Sequence, residues 1–147
     1  MNGRHDQANE VAAALPQHVA RLTRLFWQHS SREISRTGAG VLSSLSARPR
    51  RITELAELEG LAQPTVTVMV GKLEERGLVA RQRDAGDGRV VLVTITDAGR
   101  ALLERLRAEY REVLRSRVAS MTDDQVAALI AATETLGTLI DALQQGD

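Results

Sequence analysis

Residues 52–96 read ITELAELEGLAQPTVTVMVGKLEERGLVARQRDAGDGRVVLVTIT, and the succession of periods inside this stretch decides the fold. Leu55, Ala56 and Leu58 recur at helical steps and are expected to face inward, with Thr53 as the expected N-cap and Gly60 as the stop. Shortly after, Gln63-Pro64 opens another helix, with proline expected at its first position, where the missing N–H costs nothing. Val66, Met69, Val70 and Leu73 mark the stripe that this helix buries, and Gly77 ends it. Two short helices joined by a tight glycine-containing turn make a helix-turn-helix. The period then changes from 3.6 to 2. Leu78, Val79, Arg81 and Arg83 lead into the turn-rich Asp84-Ala85-Gly86-Asp87-Gly88, and the run from Arg89 to Ile95 returns as a second strand. That hairpin is a wing.

Working outward, Val11, Leu15, Val19, Leu22, Leu25 and Phe26 predict an amphipathic helix over about residues 9–31. A shorter helix carries Val41, Leu42 and Leu45 until Arg48-Pro49-Arg50-Arg51 closes it. Beyond the wing, Thr96-Asp97 caps a long helix with Leu102, Leu103, Leu106, Tyr110, Val113 and Leu114. Thr122-Asp123-Asp124-Gln125 is a capping box for a last helix bearing Val126, Leu129, Ile130, Leu136, Ile140 and Leu143. The order is four helices, two strands and two helices, with a short strand at Arg51-Ile52 expected to close the wing sheet. The fold class is therefore mostly α with a small β wing, a winged helix-turn-helix flanked by N- and C-terminal dimerisation helices. Residues 1–147 are expected to form a single domain, its DNA-binding part at about 35–96 and its dimerisation helices at about 9–31 and 97–145.

Bulk composition excludes several classes. No apolar run is read as approaching the roughly 18 residues of a membrane span, so no membrane partner is expected. The polar start MNGRHDQANE has no signal-peptide pattern, and a cytoplasmic location is the expectation. The absence of cysteine removes disulfides, thiolate metal sites and thiol-based oxidant sensing. His5, His18 and His29 lack zinc-site spacing, so neither a metal nor a cofactor is expected. No Ser/His/Asp or Cys/His set, phosphate-binding glycine loop or paired carboxylates point to an enzyme.

Lysine plus arginine equals aspartate plus glutamate at 19 each, yet the charges are segregated. Val19 to Arg51 holds seven arginines against Glu33 alone, a net of +6. Val118 to Asp147 holds five acids and no lysine or arginine, a net of −5. A polarised molecule of this kind suits a polyanion at one end, although charge runs also occur as solvated faces.

The face of the Pro64-to-Arg76 helix opposite its buried stripe carries Thr65, Thr67, Val68, Gly71 and Lys72. Threonine can bond a base edge or meet a thymine methyl, and Lys72 can reach guanine or phosphate, although such a face can also be mere exposed surface. At the wing tip, Asp87 and Arg89 flank Gly88, where an ion pair would hold the arginine upright for a minor groove.

These residues resemble the MarR family of bacterial transcription regulators. The resemblance is carried by Leu55-Ala56, by Gln63-Pro64-Thr65-Val66-Thr67, by Leu73 to Val79, and by Asp87-Gly88-Arg89 followed by Thr94-Ile95-Thr96-Asp97-Ala98-Gly99, and it runs over nearly the whole chain. It implies that Gln63, Pro64, Thr65, Thr67, Val68 and Lys72 lie at the DNA, that Arg89 enters the minor groove oriented by Asp87, and that Arg81 and Arg83 touch phosphates. Val68 and Gly71 depart from the family, which often places polar or charged groups there. Val68 can be read as a thymine-methyl contact or as simple exposure.

The first, fifth and sixth helices hold apolar stripes that one small domain does not use up, so a symmetric homodimer is expected. Its recognition helices would lie roughly 34–36 Å apart and call for a palindromic operator on double-stranded DNA. By resemblance the protein is a repressor released by a small aromatic or anionic effector held in a cleft. Trp27, His29 and Arg36 are the candidate lining residues, though Trp27 also suits packing at the helix edge. A winged-helix module that binds protein without sequence-specific DNA binding is the alternative.

Overall fold

The computed structural model describes residues 2–29 and 33–146, with the elements α1 (Asn2–His29), α2 (Arg36–Ala47), α3 (Ile52–Glu59), α4 (Gln63–Glu75), β1 (Val79–Arg83), β2 (Val91–Ile95), α5 (Asp97–Val118) and α6 (Asp123–Gln145). The mostly helical fold with a two-stranded wing is the one the sequence predicts. The chain divides into two compact units, Met1–Tyr110 and Arg111–Asp147.

In the first unit the core is aliphatic. Val41, Leu42 and Leu45 of α2 meet Leu55 of α3, Val66, Val70 and Leu73 of α4, Val79 and Val93 of the wing, and Leu102 and Leu106 of α5, all essentially closed to solvent. No polar or charged residue among those described is buried with them. Helix α1 begins at Asn2, earlier than its apolar stripe, because its polar opening turns leave no periodic signal. Val11, Val19, Leu22 and Leu25 on that stripe remain 43–55% exposed within the protomer.

Local chemistry explains several boundaries. Helix α3 starts at Ile52, capped by Arg51 and not by Thr53. The Glu54 carboxylate reaches back to accept the Arg51 N–H at 2.9 Å, and Thr53 lies inside the helix. The Arg48 guanidinium, 2.7 Å from Glu54, holds that carboxyl below its ordinary range with help from the Arg51 N–H. Leu58, expected inside, is 55% exposed. The inward line of α3 runs through Ile52, Leu55, Ala56 and Glu59, and the Ser44 hydroxyl donates to Glu59 at 2.9 Å. In so short a helix that line leaves Leu58 on the far edge.

The strand expected at Arg51-Ile52 is a single bridge one residue earlier. Arg50 exchanges backbone hydrogen bonds of 3.1 and 2.8 Å with Val93. Ile52 already belongs to α3, so the extended backbone ends before it. Strands β1 and β2 pair antiparallel from Val79 opposite Ile95 to Arg83 opposite Val91.

The wing is tied to the exit of α4 through Thr96. Its hydroxyl donates to the Gly77 carbonyl at 2.6 Å and accepts the Gly99 N–H at 3.1 Å, while its own N–H bonds the Leu78 carbonyl at 3.1 Å. One threonine thereby caps α5 and fastens both wing strands to the helix-turn-helix.

In the second unit, Thr122 and Gln125 form the expected capping box at the start of α6. No residue of α6 is buried, and Leu129, Ile130, Leu139, Ile140 and Leu143 are 39–69% exposed. An 18-residue stretch within its 23 residues has a mean hydropathy of 1.5, so this helix is long and apolar enough to cross a membrane by length and composition alone. The expectation that no stretch approaches that measure is thus corrected. Alanine, leucine and isoleucine accumulate along α6 without an unbroken apolar run, since Thr133, Glu134, Thr135 and Asp141 interrupt it.

Candidate nucleic-acid interface

The turn between α3 and α4 is made by Gly60, whose φ of 63° lies in the left-handed region that favours glycine. Leu61 donates to the Ala56 carbonyl at 3.0 Å, and the Ala62 carbonyl accepts from Thr65 and Val66. Pro64 is the second residue of α4, one place later than expected, and still within the turn whose N–H groups have no intrahelical partner. At the other end Gly77, at φ 68°, lets Leu78 donate back to the Leu73 carbonyl at 2.9 Å, sending the chain directly into β1.

Helix α4 buries Val66, Val70 and Leu73, with Met69 partly covered. Gln63, Pro64, Thr65, Thr67, Val68 and Lys72 are exposed, so the turn and the buried stripe together present the expected set outward. The Thr67 hydroxyl donates to the Gln63 carbonyl at 2.9 Å, and Val68 is 59% exposed.

At the wing, Asp84 donates its N–H to the Val90 carbonyl at 2.9 Å, closing the loop between the strands. The Asp84 carboxylate accepts the N–H groups of Gly86 at 2.7 Å and Asp87 at 3.2 Å, which together hold its pKa below the ordinary aspartate value. The ion pair expected between Asp87 and Arg89 is replaced by another contact: the Asp87 carboxylate accepts the Arg89 backbone N–H at 3.0 Å. Two residues apart in a tight turn, the nearest donor to an aspartate oxygen is the main chain. Asp87 therefore fixes the backbone from which Arg89 projects. The side chains of Lys72, Arg83 and Arg89 have no polar partner among the described residues, whereas Arg81 pairs with Glu74 of α4.

Because the charged form of Asp84 is the one the loop stabilises, its contribution is present above the normal aspartate range and is lost as pH falls through the lowered pKa. Asp84→Ala is accordingly expected to speed amide exchange at Gly86 and Asp87 at neutral pH while leaving the core amide of Val93 unchanged. Acidifying the parent protein is expected to lower the protection of the same two amides, measured against the intrinsic exchange rate at each pH. Hydrogen exchange followed by NMR checks both.

Sequence reasoning assigned no role to two features. After the Gly86 and Asp87 N–H groups, the charge of Arg51, a member of the basic Arg48–Arg51 run, also favours the ionised Asp84 carboxylate. The charge count was its only signal. Gly71, noted as a departure, lies in the middle of α4, and a Cβ built on it meets no atom of the protein within 4 Å.

The residues expected to line an effector cleft are distributed differently. Trp27 is half-buried and meets Tyr110 edge to face, with centroids 6.2 Å apart, while Phe26 stacks on the same ring at 5.0 Å. The Tyr110 hydroxyl oxygen is buried without a partner among the described residues. Arg36 is exposed at the start of α2, and the side chain of His29 lies outside the described residues. A cleft of about 500 Å³ lies between Ile34 and Ser35 on one side and Met69 and Lys72 of α4, with Arg76 at its C-cap, on the other. Neither Trp27 nor Arg36 lines it.

Comparison with known proteins agrees with this geometry. The MarR family model matches residues 34–91, the segment from the α2 entry to the start of β2. A helix-turn-helix transcriptional regulator of Mycobacterium bovis is 29% identical over 139 residues, covering 92% of this chain and 96% of its own. A MarR family protein from Bacillus stearothermophilus shares the fold with a TM-score of 0.77 at 22% identity, over 93% of this chain and 97% of that one. The PcaV transcriptional regulator from Streptomyces coelicolor, solved in complex with its natural ligand, superposes with a TM-score of 0.58 at 25% identity, over 84% and 89% of the two chains. With the helix-turn-helix, the wing and the flanking long helices in the same order, this chain is similar to the MarR family of transcriptional regulators over those residues.

Proposed function

We propose that the chain acts as a homodimer on a palindromic DNA operator, with α4 of each protomer in the major groove and each wing in an adjacent minor groove. Bound there, it represses transcription in the cytoplasm. The observation that carries this reading is the set of cations without a polar partner among the described residues, Lys72, Arg83 and Arg89, beside an exposed α4 face. Cations of this kind are free to displace the counterions condensed on phosphate. Dimerisation is supported by the apolar residues that α1 and α6 each leave exposed in the protomer. Residues about 35–96 then serve as the DNA-binding part, and about 9–31 and 97–145 as the dimer helices.

Release by a small aromatic or anionic effector is the finer part of the proposal. Its support is the Tyr110 hydroxyl, buried beside Trp27 without a partner among the described residues, since a buried unpaired hydroxyl costs about 1–3 kcal/mol. The ligand-bound relative from Streptomyces coelicolor is consistent with such a site.

Duplex titrations across a salt series test the DNA reading. The logarithm of affinity is expected to fall linearly with the logarithm of salt, with a slope of about −5 for a dimer engaging Lys72, Arg83 and Arg89 from each protomer. Sequences selected from a random pool are expected to be palindromes with half-sites about one turn apart. A salt-independent interaction, or none, would instead favour a protein-binding role for the wing.

A further inference from the structure

We infer that the middle of α4 reads thymine methyl groups by close van der Waals approach, and that Gly71 is the residue that allows the helix backbone to come close enough. This rests on the DNA-binding reading above and specifies what kind of half-site the protein prefers.

Gly71 is the starting observation. Glycine inside a helix is destabilising relative to alanine, so a mid-helix glycine calls for a reason. At four other glycines the reason is internal. A Cβ on Gly99 would run into the Leu78 carbonyl, and one on Gly40 would stand 3.0 Å from the Glu59 carboxyl carbon. Gly60 and Gly77 need positive φ. Gly71 has neither excuse: its φ is not positive, and its Cβ would point into open space. Gly137 of α6 is open in the same way; what sets Gly71 apart is its place on the exposed face of α4, beside Thr67 and Val68.

The neighbouring positions define what that outside group is. Thr67 and Val68 lie four and three residues before Gly71 and share its face. The Thr67 hydroxyl proton is committed to the Gln63 carbonyl. Val68 offers only methyl groups, at 59% exposure. Among Thr67, Val68 and Gly71 the one side-chain donor is therefore already engaged, while Thr65 and Lys72 flank them on the same face. Exposed valine is also a poor choice for an idle helix surface, since its branched side chain loses rotamer freedom. A shallow hollow of about 430 Å³ adjoins, bounded by Pro64, Thr65, Val68, Met69 and Lys72. The face is thus apolar and recessed, with the cations Lys72 and Arg76 following it along the helix.

In the major groove the C5 methyl of thymine is the one apolar group that base pairs display. A helix whose one central donor is already engaged gains little from guanine or cytosine edges and leaves their polar atoms unpaired. Against thymine it buries methyl on methyl, and the missing side chain at Gly71 removes the bulk that would hold the helix off. The cations meet phosphates on either side, so charge complementarity and shape favour the same occupant. The preferred half-site is therefore A·T-rich beneath Val68 and Gly71.

The test uses the full-length protein and the tightest duplex recovered from a random-sequence pool. Each thymine is replaced in turn by deoxyuridine, which deletes only the methyl. One or two positions per half-site are expected to lose about fourfold in affinity. With Val68→Ala the ratio between thymine and uracil duplexes at one of those positions is expected to fall to about one. Gly71→Ala is expected to raise the melting temperature, yet to bind the selected duplex about tenfold more weakly. Its binding to a scrambled duplex at low salt is expected to match the parent. If every deoxyuridine duplex binds within twofold of the original, or if Gly71→Ala binds the selected duplex as tightly as the parent, the inference is overturned while DNA binding stands. If no duplex is bound in a salt-dependent way, the DNA reading itself falls and this inference with it.

Discussion

Gly99→Ala is expected to cost about 3 kcal/mol of stability and to lower the melting temperature by roughly 10 °C. The added methyl would sit within bonding reach of the Leu78 carbonyl oxygen, 2.9 Å from Ile95 Cγ1 and 3.1 Å from the Leu78 carbonyl carbon. Two of those three atoms are backbone, and this backbone has little room to yield. Leu78 donates to the Leu73 carbonyl at one end of its peptide and accepts from Thr96 at the other. Moving it means breaking the Schellman-type exit of α4 or the Thr96 latch that holds the wing. Thermal unfolding monitored by circular dichroism measures the effect. A Gly99→Ala protein melting within two degrees of the parent would mean that α5 packs against the wing less tightly than described. Gly71→Ala, with open space around it, supplies the opposite control.

Arg89→Ala carries the other large effect, on affinity and not on stability. The Arg89 side chain is exposed and makes no polar contact with the described residues, while its backbone is held by Asp87. Truncation therefore removes nothing from the fold, and the melting temperature is expected to stay within about one degree. In the complex, an arginine in a narrow minor groove sits in an enhanced negative potential, and losing it is expected to weaken operator binding roughly ten- to a hundredfold. Fluorescence anisotropy at matched salt reads this directly. The loss is expected to be greatest for operators with A·T-rich flanks. Equal affinity of variant and parent would remove the wing from the groove.

Features set by neighbours in sequence were legible. The Thr122–Gln125 capping box, the glycine stops at Gly60 and Gly77, the stripe of Val66, Val70 and Leu73, and the change of period at the wing depend on side chains a few residues apart. What depended on a choice between competing partners was not. Thr53 had the chemistry of a cap, but Glu54 won by reaching the Arg51 N–H. Asp87 had two possible partners in Arg89, and the main-chain donor prevailed over the guanidinium. Contacts across long separations left no local trace at all: neither the Gly99 approach to Leu78 nor the meeting of Phe26 and Trp27 with Tyr110 has a period or a motif. For the DNA-facing set, the exposed face of α4 was readable because its buried face was, although which cations are free and which, like Arg81, are paired required the packing of β1 against α4.

The clustering of the chain's single phenylalanine, tryptophan and tyrosine has an optical consequence. Light absorbed by Tyr110 has one acceptor close at hand, the indole of Trp27, whose ring centroid is 6.2 Å away. Energy transfer over that distance is efficient, and the emission of this protein comes from one site in each chain. The spectrum is thus a built-in gauge of how the end of α1 sits on α5, readable without any label. It is silent about the wing and α4, which contain no chromophore of this kind. Titrating DNA or a small molecule while watching that emission separates events at the aromatic cluster from events at the reading head.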